Sequence, residues 1–120
     1  MKKILIVDDE PNIVMSLEYT FKKSNYEVFI ARDGQEALEI LKTNYPDVII
    51  LDVMMPMVDG YATLEHIKKD SNLQHTKVMF LSAKNKESDI EKGMALGADA
   101  YLTKPFSIKK VVEQVEELLS

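Results

Sequence analysis

The sequence predicts an α/β fold in which five strands and five helices alternate as (βα)5, a doubly wound five-stranded parallel sheet inside a three-layer sandwich. Two observations carry this. Five short apolar runs, rich in β-branched residues and free of polar alternation, recur along the chain, as strands buried on both faces require. After each run comes a segment whose apolar residues fall at helical spacing. A length of 120 residues fits one compact domain covering 1–120, and 46% hydrophobic with 29% charged residues supplies enough apolar material for a core.

The first strand is Ile4 to Val7. Met1-Lys2-Lys3 in front of it resembles the start of a signal peptide, but Asp8-Asp9-Glu10 interrupts the apolar stretch too early. Pro11 suits the first turn of the next helix, whose stripe is Ile13, Val14, Leu17 and Phe21. Val28 to Ala31 is the second strand, and Asp33-Gly34 opens the helix of Ala37, Leu38 and Leu41. Val48 to Leu51 is the third, followed by Asp59-Gly60 and the helix of Tyr61, Leu64 and Ile67. Val78 to Leu81 is the fourth, and its helix places Ile90 and Met94 on the stripe and ends at a left-handed Gly97. Ala100 to Leu102 is the fifth, and Ser107 caps a last helix carrying Val111, Val112, Val115, Leu118 and Leu119.

Composition excludes several functions. A net charge of -5 argues against a surface built to neutralise nucleic-acid phosphates. The absence of cysteine rules out disulfides, thiolate metal sites and thiol nucleophiles, and suits a cytoplasmic protein. No apolar run approaches the roughly 20 residues that span a bilayer.

Chemistry concentrates after the strands. In open parallel sheets the ligand crevice lies beyond the carboxyl ends of the strands, where strand order reverses. Asp8, Asp9 and Glu10 follow the first strand, Asp52 the third, Ser82 the fourth, and Thr103 with Lys104 the fifth. Clustered carboxylates repel one another unless a cation sits among them, and hard oxygen ligands without His or Cys select Mg2+ or Mn2+. Metal, ammonium and hydroxyl together suit a phosphoryl group. There is no Gly-x-x-x-x-Gly-Lys phosphate loop and no dinucleotide fingerprint, so the natural acceptor is a carboxylate of the protein, Asp52, forming an acyl phosphate.

These residues resemble the receiver domain of two-component response regulators, a flavodoxin-like fold. The resemblance rests on Asp8-Asp9, on Leu51-Asp52-Val53-Met54-Met55-Pro56-Met57-Val58-Asp59-Gly60, on Ser82-Ala83 and on Lys104-Pro105-Phe106. Ser82 and Lys104 stand 30 and 52 positions after Asp52, as in receivers. The resemblance implies that Asp52 accepts a phosphoryl group from a histidine kinase, a phosphotransfer protein or acetyl phosphate. It implies Mg2+ on Asp9, Asp52 and the Met54 backbone carbonyl, with Asp8 acting through a water. Lys104 and Ser82 would hold phosphoryl oxygens, Ala83 would leave room, and Tyr101 would be the switch aromatic, moving inward when Ser82 is drawn to the phosphoryl group. Met54 and Lys84 would tune dephosphorylation, and Lys104-Pro105 would be a cis peptide. The output would be a changed face of helix four, strand five and helix five, read by an output domain or downstream protein, with homodimerisation on phosphorylation as one form of response.

Plainer roles compete at each position. Asp8-Asp9 alone reads as a helix cap, Ser82 as another, and Tyr101 as an ordinary strand residue; the constellation overturns these. Met54, Met55 and Met57 read as loop and core fillers, His66 and His75 as solvated bystanders, and Lys68-Lys69 as an exposed helix face. An alternative reading is a pseudo-receiver acting as a constitutive binding module. A turnover enzyme of the haloacid dehalogenase kind needs a second Asp where Met54 stands, and electron transfer needs a hydroxyl-rich phosphate loop that is missing. In the last helix Lys109-Lys110 precedes Glu116-Glu117, the reverse of the dipole's preference, which implies partner contacts or a helix continuing past Ser120. Ala100 and Gln114-Val115-Glu116 depart from winged-helix transcriptional regulators and leave a stand-alone, chemotaxis-like receiver open.

Overall fold

The computed structural model describes residues 1–120 and has the alternation the sequence predicts. Its elements are β1 (Lys3–Val7), α1 (Pro11–Lys23), β2 (Glu27–Ala31), α2 (Gly34–Leu41), β3 (Val48–Leu51), α3 (Gly60–Lys69), β4 (Lys77–Ser82), α4 (Glu87–Ala95), β5 (Ala100–Thr103) and α5 (Ile108–Leu119). A short 3-10 turn at Ser71–Leu73, absent from the sequence reading, leads from α3 towards β4. All pairings are parallel and the strand order is β2-β1-β3-β4-β5, the flavodoxin-like (βα)5 arrangement. The order reverses between β1 and β3, which fixes where a crevice opens.

Each strand alternates its side chains between two apolar layers, because successive residues point to opposite faces. Leu5, Val7, Ile49, Leu51, Val78 and Phe80 pack on α2 and α3; Ile4, Ile6, Val48, Ile50, Met79 and Leu81 pack on α1 and α5. The helices close these layers with Ala37, Leu41, Leu64 and Ile67 on one side and Leu17, Phe21, Val111 and Val115 on the other.

Helix starts follow the punctuation. Pro11 begins α1, and the side chains of Asp33, Asp59 and Ser107 accept from the N–H groups of Glu36, Ala62 and Lys110. Helix α4 departs from expectation. Met94, placed on its apolar stripe by spacing, is exposed, and the helix buries Gly93 instead. A Cβ at Gly93 would stand 3.0 Å from the Phe80 ring and 3.1 Å from the Tyr101 ring, so a larger residue would push α4 or the rings apart by a few tenths of an ångström. Met54 and Met57 are likewise exposed rather than space-filling, while Met55 packs on the core.

Phe80 is the keystone of this side. It is fully buried, and its ring meets Tyr61 edge-on at 5.6 Å and Tyr101 at 5.6 Å between centroids. Phe80→Ala is expected to cost about 3–5 kcal/mol in urea unfolding. Met15→Ala, at a residue 65% exposed on α1, should stay within about 0.5 kcal/mol of the parent.

Candidate functional site

Sheet register brings the acids together. Val7 pairs with Leu51 across β1 and β3, so the residues that follow them, Asp8 and Asp52, leave the sheet side by side. The Asp52 N–H donates to the Val7 carbonyl at 3.0 Å and the Asp8 N–H to the Ala31 carbonyl at 3.1 Å, which ties both to the rigid strand ends. On the far side, Ser82 pairs with Thr103, and the Lys104 N–H donates to the Ser82 carbonyl at 2.8 Å. Lys104 thereby starts from the end of β5 and reaches back over β4 to the acids. Its peptide to Pro105 is cis, as expected.

The Lys104 ammonium lies 3.1 Å from Asp8 Oδ2, 2.9 Å from Glu10 Oε1 and 3.3 Å from Asp52 Oδ2. Asp8 and Asp52 are almost wholly buried, at 2% and 3% exposure. Their other oxygens accept from N–H groups two residues on: Asp8 Oδ1 from Glu10 at 2.9 Å, Asp52 Oδ1 from Met54 at 3.2 Å. Burial pushes the Asp8 carboxyl above its ordinary 3.8, against the lowering pull of the Glu10 N–H and of Lys104. Burial also opposes the charge on Lys104, but hydrogen bonds to Glu10 and Asp8 and the charge of Asp52 outweigh it, and its pKa rises.

The β3–α3 loop returns over this pocket through Gly60. The Gly60 N–H donates to the Val53 carbonyl at 2.9 Å, and a Cβ there would collide with the backbone oxygen of Asp52. Beyond the loop lies a cleft of about 510 Å3 lined by Asp9, Met54, Asp59, Tyr61, Lys84 and Lys92 among others. Ser82 is fully buried, and its Oγ accepts from the Lys84 N–H at 3.2 Å. Ala83 lines the opposite mouth with Lys104 and Phe106. The Tyr101 hydroxyl donates to the Lys84 carbonyl at 2.7 Å, and burial pushes its pKa up to about 12.

Most of the expected constellation therefore converges. Asp8, Asp52 and Lys104 are in contact, and Ser82 and Ala83 flank them. Asp9 is exposed and lines the cleft together with Met54, while the close acidic group consists of Asp8, Glu10 and Asp52. The Tyr101 hydroxyl is docked on the β4–α4 loop through the Lys84 carbonyl. Glu10 is no more than part of an acidic run in the sequence, yet its carboxylate joins Asp8 and Asp52 with oxygens within 4.8 Å of one another. Its partner lies 94 positions away in sequence, so local pattern carries no sign of it. His66 and His75 are exposed, and neither lines the cleft nor joins the acidic group.

Three carboxylates against one ammonium leave an excess of negative charge, in a donor set of hard oxygens alone. That set fits a divalent cation such as Mg2+. Two outcomes follow by calorimetry. Because a proton on Asp8 must leave before a cation binds, and its pKa lies above 3.8, Mg2+ affinity should begin to fall on acidification at a higher pH than an ordinary carboxylate would dictate. Lys104→Met removes a competing charge and should tighten Mg2+ binding by roughly tenfold. The same variant should be less stable without Mg2+ and recover with it, since it leaves buried acids unpaired.

The chain matches the family model described as response regulator receiver domain over residues 4–116. It is 43% identical over 118 residues to the alkaline phosphatase synthesis transcriptional regulatory protein PhoP of Bacillus subtilis (strain 168), covering 98% of this chain and 48% of that protein. It thus spans about half the length of the curated relatives it matches. Among solved structures, the receiver domain of the Francisella response regulator 1452 superposes with a TM-score of 0.90 at 36% identity, covering 99% and 97% of the two chains. The chemotaxis protein CheY4 of Vibrio cholerae superposes with a TM-score of 0.93 at 32% identity over 99% of each. The Ala100 departure therefore does not set the chain apart in sequence from proteins described as transcriptional regulators. Pattern, relatives and fold agree over nearly its whole length, and the chain belongs to the response regulator receiver domains of two-component signalling.

Proposed function

We propose that residues 1–120 act as one phosphoacceptor switch, with Asp52 as the acceptor. The observation that carries this is Asp52 itself, a buried carboxylate at the end of β3, 3.3 Å from an ammonium and beside two further acids. An Asp52 oxygen forms a bond to phosphorus while the P–N bond of a donor phosphohistidine breaks and its electron pair leaves with the imidazole. Acetyl phosphate serves as a small donor by the same displacement.

The chain's own groups meet the charge that results. Lys104 turns an N–H towards a phosphoryl oxygen and Ser82 rotates its hydroxyl to donate to another, both charge-assisted bonds. Exposed Ala83 keeps that side open. Asp9, Asp52, the Met54 carbonyl and, through a water, Asp8 are the groups that would hold Mg2+ (or Mn2+), which when bound neutralises charge building on the transferred group. Met54 and Lys84 border the cleft that leads to this point and tune the lifetime of the acyl phosphate.

The response runs through the β4–α4 loop. Ser82 and Tyr101 share it, Ser82 through the Lys84 N–H and Tyr101 through the Lys84 carbonyl. Drawing Ser82 towards the phosphoryl group favours the docked Tyr101 and reshapes the α4, β5 and α5 face, which a kinase-dependent output segment or downstream protein reads. In the cytoplasm, donor and output are those of the family: a histidine kinase or phosphotransfer protein on one side, an output domain or downstream protein on the other, with homodimerisation as one response.

With acetyl phosphate and Mg2+, intact-mass measurement should show one added phosphoryl group in the wild type and none in Asp52→Asn. A wild-type chain that stays unmodified with every donor and Mg2+ would remove this reading.

A further inference from the structure

We propose that Glu10 is a positioning residue that tethers Lys104 while Asp52 is unmodified and releases it when Asp52 carries a phosphoryl group. The proposal rests on the phosphoacceptor reading above. Of the three contacts made by the ammonium, that to Glu10 is the shortest, 2.9 Å against 3.1 Å to Asp8 and 3.3 Å to Asp52. It is also the only one with a solvent-facing partner: the Glu10 side chain is 56% exposed, those of Asp8 and Asp52 3% and 4%.

Glu10 has no competing structural task. It stands at the N-cap position of α1, yet its side chain makes no capping hydrogen bond, and Pro11 follows it. Asp8 Oδ1 holds its backbone N–H at 2.9 Å, which turns the chain so that the carboxylate hangs over the pocket mouth. The sole hydrogen bond of that carboxylate is the one from Lys104.

An ammonium has three N–H donors, and here each carboxylate takes one. A phosphoryl group on Asp52 brings a charge of about -2 and three strong acceptors, and draws the ammonium with more than the single N–H that Asp52 Oδ2 already takes. Asp8 is buried and would be left an unpaired charge if it gave up its share. Glu10 can return to water at little cost, and the incoming charge repels it. The tether therefore favours the unmodified state and holds down the phosphorylated population.

Beryllofluoride, which mimics the phosphoryl group, separates the possibilities by fluorine NMR and calorimetry on Glu10→Gln. With saturating Mg2+, beryllofluoride should bind this variant roughly three- to tenfold more tightly than wild type. Mg2+ alone should bind it more weakly, because a negative charge is gone and the freed ammonium settles on the remaining acids. A loosened fold would not move the two affinities in opposite directions. Glu10→Ala should behave as Glu10→Gln does. Glu18→Gln, which removes the same charge from the cleft beside Asp8 and Asp9 without touching Lys104, should leave beryllofluoride binding within about twofold of wild type. Beryllofluoride binding by Glu10→Gln that is unchanged or weaker overturns the tether, as does a Glu18→Gln variant that gains equally. A wild type that binds no beryllofluoride with Mg2+ present overturns the phosphoacceptor reading, and the tether with it.

Discussion

Lys104 carries one positive charge into a pocket where Asp8, Glu10 and Asp52 carry three negative ones, and the rest of the strand-end architecture depends on that imbalance. At an effective dielectric constant near 20, a pair of unit charges 4 Å apart interacts by about 4 kcal/mol, so three attractions to the ammonium are set against three repulsions among the acids. Removing Asp8, Asp52 and the ammonium from water costs several kcal/mol more for each. The balance makes this cluster a poor source of stability and a receptive place for further positive charge. Every buried side-chain nitrogen and oxygen has a hydrogen-bond partner, so the cluster is satisfied in geometry while remaining unbalanced in charge.

Such a cluster survives because something else holds it. The backbones of Asp8 and Asp52 continue β1 and β3, whose side chains are almost entirely buried in the two apolar layers, and are pinned by hydrogen bonds to the carbonyls of Ala31 in β2 and Val7 in β1. Each buried apolar side chain contributes about 1.5–3 kcal/mol by leaving water, and the dozen of them on the three central strands outweigh a few kcal/mol of electrostatic frustration. The strand register decides which acids meet, the apolar layers keep the register from slipping, and the charges exploit a rigidity they did not create.

Much of this was legible in the sequence. Apolar runs marked the strands because a sheet covered on both faces leaves no polar alternation, and Asp33, Asp59 and Ser107 marked helix starts because short oxygen-bearing side chains cap them. Asp52 and Lys104 could be brought together on the general rule that ligands bind at strand ends where the order reverses. What escaped the sequence was decided by side-chain direction and by partners distant along the chain. Glu10 is claimed by Lys104, which follows β5, and the Tyr101 hydroxyl is docked on a loop carbonyl seventeen positions earlier. Gly93 replaced Met94 on the buried face of α4 because two aromatic rings already fill the space that a stripe residue would take.

The same aromatic rings give the site a direction. Helix α3 buries Tyr61, Thr63, Leu64 and Ile67 along with Gly60, whereas α4 buries Gly93 alone. What holds the start of α4 is polar: the Tyr61 hydroxyl donates to the Asp89 carbonyl at 3.1 Å, and the Asp89 carboxylate accepts from the Lys86 N–H at 3.2 Å. Bonds of this kind contribute about 0.5–1.5 kcal/mol each, far less than a packed apolar stripe. The loop that Ser82 and Tyr101 share leads directly into these contacts. A charge-assisted bond gained by Ser82, on the order of 1.5–3 kcal/mol, is large beside the bonds that anchor α4 and small beside the burial that anchors α3. A perturbation at the pocket would therefore be absorbed where apolar burial is thinnest, at α4 and the adjoining end of β5, while the sheet and α3 keep the acids in place.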